Sequence, residues 1–149
     1  MVSGLSFAAP RAGDSALYDL TISSPYQTIT GTLGRKILSI DSVTQMATVE
    51  QTLDLSGMPP QVETSSVAVS SLSEESGALV VSNCAAFGGK TENILVSGRS
   101  YLACTFVQSI KGVDAINSIA EIPFMTVKSV APQDSATTTL EMRSFSRGP

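Results

Sequence analysis

The sequence predicts an all-β domain, mainly antiparallel. It is packed as a β-sandwich or barrel of jelly-roll or Ig-like type, with one short helix near residues 113–120. Three observations lead there. Period-two alternation is the first: in TQMATVEQTLDL (44–55), Ala47, Val49, Leu53 and Leu55 share one parity while Thr48, Glu50, Thr52 and Asp54 share the other, as a half-buried strand requires. The second is punctuation at short intervals by Ser24-Pro25, Gly31, Gly34, Gly57 with Pro59-Pro60, Gly77, Gly88-Gly89, Gly98 and Pro132. The third is the scarcity of helical periodicity, which disfavours a parallel α/β fold.

The elements follow in order. Residues 1–14 hold Gly, Ser, Ala and Pro10-Arg11 without periodicity and are expected to form a flexible N-terminal arm. A single domain over 15–143 then contains strands at LYDLTIS (17–23), YQTITGTL (26–33), KILSI (36–40), TQMATVEQTLDL (44–55) and QVETSSVAVS (61–70). Residues 73–77 read as an exposed loop. Further strands are expected at ALVVS (78–82), NILVS (93–97), SYLACTFVQS (100–109), FMTVKSV (124–130) and TTTLEMRSF (137–145). All are rich in the Val, Ile, Thr, Tyr and Phe that suit a pleated surface. In KGVDAINSIAEIP, Val113, Ile116, Ile119 and Ala120 recur at helical spacing and Pro123 stops continuation, which gives the predicted helix. A strand is the alternative, because Val113, Ala115 and Ile119 also share parity. Residues 144–149 (SFSRGP) read as a C-terminal tail.

Composition narrows the function. At 149 residues the chain can bury roughly two thirds of its unfolded surface in one core. Charged residues are only 15% of the chain, so Ser, Thr, Gly, Asn and Gln must cover much of the surface, and so little mixed charge hints at an assembly. A net charge of -4 argues against nucleic acid held through its phosphates. No apolar run approaches the ~20 residues of a membrane-spanning helix, and the N-terminus shows no export signal. Cys84 and Cys104 permit one disulfide without demanding it; their apolar neighbours suggest two buried thiols in a reducing compartment.

One stretch carries a possible chemistry. CAAFGGKT (84–91) approaches a phosphate-binding loop, in which backbone N–H groups converge on phosphate ahead of a helix. Cys84 stands where the first Gly belongs, however, and the alternation after Thr91 is that of a strand. It reads instead as a Gly-Gly turn between two strands, with Lys90 at its tip. Histidine is absent, which removes Ser-His-Asp and Cys-His catalysis and the usual zinc ligands. Glu74-Glu75 is the only adjacent acidic pair, and no calcium-loop pattern occurs. No catalytic, cofactor or metal residue is therefore expected.

These features fit a structural, non-catalytic subunit of a virion or cytoplasmic assembly, such as a capsid, decoration or tail protein of a virus or phage. It would homo-oligomerise and meet other assembly proteins through its arms. The arm contacts expected are Phe7, Pro10, Arg11, Arg143, Phe145 and Arg147, the arginines reaching acidic neighbours. The alternative is a secreted or surface binding module of adhesin or pilin type, located outside the cell.

Overall fold

The computed structural model describes residues 8–149. Among these residues nine strands form one sheet: β1 (Ser15–Ser23), β2 (Thr28–Asp41), β3 (Met46–Leu55), β4 (Gln61–Ala68), β5 (Lys90–Val96), β6 (Arg99–Ile110), β7 (Val113–Ala120), β8 (Thr126–Gln133) and β9 (Ala136–Ser146), with one helix, α1 (Glu74–Ser82). The spatial order is β4-β3-β2-β1-β9-β8-β7-β6-β5. The all-β class with one short helix is as expected. Within it the strands meander from hairpin to hairpin instead of making the Greek-key connections of jelly-roll or Ig-like folds. The exception is residues 69–89, which carry the chain from one end of the sheet to the other and contain α1.

Local chemistry sets the hairpins. Asp41 accepts hydrogen bonds from the N–H groups of Val43 (2.9 Å) and Thr44 (3.2 Å), closing the β2–β3 turn. Those two bonds hold its carboxyl below the usual range. Ser97-Gly98 and Lys111-Gly112 are two-residue loops in which both residues have positive φ, the geometry that matches strand twist.

The predicted helix at 113–120 is instead β7. Lys111-Gly112 turns the chain back so that Val113 faces Ile110, and β7 then pairs with β6 on one side and β8 on the other. Its apparent helical stripe joins exposed Val113 and Ile116 to buried Ile119 and Ala120, and alternation fails at that end because Ser118, Ile119 and Ala120 are all buried. The helix lies where a loop and a strand were expected. Ser73 caps α1 by accepting from the Ser76 N–H at 3.1 Å, and Glu74 and Glu75 occupy the first turn, where the helix dipole favours carboxylates. Gly77 permits close docking on β7: a Cβ there would lie 2.0 Å from the Ala120 carbonyl oxygen.

The core gathers Ala16, Tyr18, Ile37, Ala47, Val49 and Met142 with Leu72, Ile122 and Phe124 from the connections. The Tyr18 hydroxyl donates to the Thr126 carbonyl at 2.8 Å. Burial pushes its pKa up to about 12, against a smaller opposing pull from Arg35. The Arg35 guanidinium sits 5.3 Å from the Phe124 ring centroid. Arg35 and Lys36 belong to β2, an interior strand, so they guard no edge.

The termini are not free arms over the described residues. β9 runs to Ser146, so the expected tail is half strand. Beyond it, buried Asp14 accepts from the Gly148 N–H (2.8 Å), the Arg11 N–H (3.1 Å) and Arg147 Nη1 (2.8 Å). Arg147 also pairs with Glu74 at 2.5 Å, so one guanidinium ties Asp14 and the C-terminal segment to α1.

Candidate functional site

The residues expected as arm contacts are brought together only in part, and largely for internal use. Arg147 has its acidic partners, Asp14 and Glu74, in its own chain. Arg143 pairs with Asp19 on the neighbouring strand β1, and this partner raises its pKa. The Phe145 ring meets Tyr101 edge-on, with centroids 6.3 Å apart. Pro10 is half-buried, and Arg11 is half-exposed with its Nε 3.8 Å from Asp14. Phe7 lies outside the described residues.

CAAFGGKT also changes character. Cys84 forms a disulfide with Cys104, so the expected pair of thiols is corrected. Residues Cys84–Phe87 make a 3-10 turn, and Gly88 takes the left-handed conformation. Gly89 is obligatory for packing, because a Cβ there would lie 2.9 Å from both sulfur atoms and 2.8 Å from the Thr105 carbonyl oxygen. Lys90 then opens β5, so a strand follows the loop. The backbone behind Thr91 is committed to the β6 ladder, and no helix N-terminus is there to receive phosphate.

Acid–base chemistry finds no better footing. The hollow around Gly31, about 530 Å³, is lined by Asp19, Asp54, Arg143 and the threonines of β1 and β2. Its Asp19 is ion-paired with Arg143, a surface pair and not a carboxylate dyad. Among the described residues no three metal-ligating side chains come together. Likewise, no helix among them is long and apolar enough to cross a membrane.

What the sheet does present is an edge. β4 pairs with β3 from Met46↔Ala68 to Leu53↔Gln61 without a register shift, and on its other side it ends the sheet. All of Gln61–Ser66 are exposed, and Val62 is 60% accessible. An edge strand normally carries Lys, Pro or a bulge that prevents another chain from adding to it. β4 has none of these within its eight residues; Pro59-Pro60 stand before it. A cavity of about 200 Å³ is lined by Gln51 and Leu53 of β3 and Gln61, Val62 and Glu63 of β4. Its sequence, QVETSSVA, reads as a strand; that the strand is terminal depends on where β5 to β9 lie.

No family model matches the chain, and no curated protein does. Two solved structures are similar. One is a chain of the Pseudomonas aeruginosa MucA/MucB complex, 10% identical, with a TM-score of 0.46 over 91% of this chain and 52% of that one. The other is the crystal structure of MucB, 10% identical, with a TM-score of 0.49 over 95% of this chain and 55% of that one. The chain thus spans about half the length of these structures. The expectation of a virion component is corrected here. The arms that were to knit an assembly are docked, over the described residues, on their own subunit.

Proposed function

We propose that this chain is a non-catalytic binding protein that takes an extended segment of a partner polypeptide as an added strand on β4. The observation that carries the proposal is the regular β4 edge, without Lys, Pro or bulge and open on its outer side among the described residues, whose outward N–H and C=O groups offer a ready template. The Cys84–Cys104 disulfide supports an oxidising compartment as the place of work. The pairing of MucB with MucA belongs to those proteins; the β4 edge of this chain carries the reading.

Amide NMR with blocked β-forming octapeptides tests it. Shifts confined to β4 and β3, abolished by Val62→Lys with Thr64→Lys, are expected. Shifts centred on α1 and β6, or none at all, would sink the proposal. A second reading uses the same edge for a homo-oligomer, favoured by the low charge content of 15%. Light scattering distinguishes it: a dimer that the two lysines dissociate would show that β4 pairs with itself.

A further inference from the structure

The charge around the open edge points to the chemistry of what it binds. From Ile37 to Gly89 the sequence holds six of its thirteen carboxylates and none of its nine Lys and Arg residues. Of this stretch the fold lays β3 and β4 at the open end of the sheet, whereas residues 69–89 cross to the β5 end and α1 docks on β6 and β7. On the two outermost strands the charges are Glu50, Asp54 and Glu63, all carboxylates. None of the three is in a salt bridge among the described residues. The nearest cation in the ladder is Lys36, across from Glu50 on the inner side.

Register makes the pattern directional. Glu63 lies opposite Gln51, and its neighbour Thr64 lies opposite Glu50. Successive residues of a strand point to opposite faces, so Glu63 and Glu50 present a carboxylate on each face of the margin. We infer that the added strand is a basic one, with Lys or Arg at two adjacent positions. The first would face Glu63 directly. The second would sit opposite Thr64 and extend across it to Glu50, a distance within reach of a long cationic side chain. Val62 and Val67 favour β-branched residues in the flanking positions. An acidic segment meets like charge on both faces and is rejected.

This inference rests on the proposed strand addition and is tested so that the two can fail separately. The probes are two blocked octapeptides of alternating threonine and valine, identical except for two adjacent central lysines in one and two glutamates in the other. Binding is read by titration calorimetry at low and high salt, with β4 amide shifts as the site report. The lysine peptide is expected to bind roughly tenfold more tightly at low salt, the preference shrinking in Glu50→Gln with Glu63→Gln and at high salt. Equal affinity for the two peptides would overturn the charge inference and leave strand addition standing. Failure of both peptides to bind, with β4 amides unmoved, would overturn both.

Discussion

The two edges of the sheet are finished in opposite ways. β5 is bolted down: the Cys84–Cys104 disulfide fixes the turn before it to β6, and Gly89 fits against both sulfurs. Just past its end, the Ser97 hydroxyl donates to the Arg143 carbonyl at 2.9 Å. Val96 is buried, and Ile94 packs against the core. Lys90 stands at its head as a charged guard. β4 has no disulfide and no cation, and of its eight residues only Val67 packs against the core. Both are edge strands of similar length, so strand propensity does not explain the difference. It lies in what the rest of the chain places beside them. One end of the sheet is crosslinked, and the other is where strand addition is proposed, in keeping with binding elements drawn from the less constrained parts of a fold.

The largest effect should come from breaking the bolted edge. Replacing both Cys84 and Cys104 by Ser, which opens a crosslink spanning 20 residues, is expected to cost about 3 kcal/mol in urea unfolding. Hydrogen exchange should then accelerate in β5 and β6 while β3 and β4 stay as they were. Equal acceleration at both ends would remove the contrast.

Next comes the clasp that ties the crossover helix down between the two edges. Asp14→Ala leaves Arg147 and the Gly148 N–H without their buried acceptor, and a loss of about 3 kcal/mol is expected by chemical denaturation. A change under about 0.5 kcal/mol, the ordinary range for surface substitutions, would mean that the clasp holds little.

Tyr18 separates the shared core from either edge. Its hydroxyl ionises near 10.0 when unfolded and at about 12 when folded, so the native state keeps its proton longer. The contribution is fully present below pH 10 and is lost as pH rises through 12, by about 2–3 kcal/mol. Stability of the wild type measured against Tyr18→Phe across that window should show this fall, and parallel curves would contradict it.

The smallest effect on stability belongs to the open edge. Val62→Lys with Thr64→Lys should shift unfolding by less than about 0.5 kcal/mol, because both side chains are exposed. A marked loss would show that β4 is held by contacts on its outer side.

Much of this was legible in the residues. The alternation over 44–55 gives β3, and QVETSSVAVS, SYLACTFVQS and TTTLEMRSF give β4, β6 and β9. YQTITGTL and KILSI are one strand, β2, whose bulge between Ile37 and Ser39 breaks the parity count. ALVVS was misleading because Val80 and Val81 suit strands; Ser73 followed by Glu74 and Glu75 was the helix signal beside it. β7 reads as a helix because exposed Val113 and Ile116 fall at helical spacing with Ile119 and Ala120, which are buried where α1 docks. Of the site, QVETSSVA and the cation-free stretch around it were readable, whereas the edge position was not.

By itself, then, the sequence determined most of the strands, the break at Gly98 and the lack of histidine chemistry. These depend on side-chain parity, backbone φ preference and residue inventory, all local properties. Tertiary structure alone decided which strands end the sheet, that Cys84 meets Cys104, and that Arg147 finds Asp14 and Glu74. Each of these depends on residues far apart in sequence arriving at one place, and pairing across such distances is fixed by how the whole sheet closes its core.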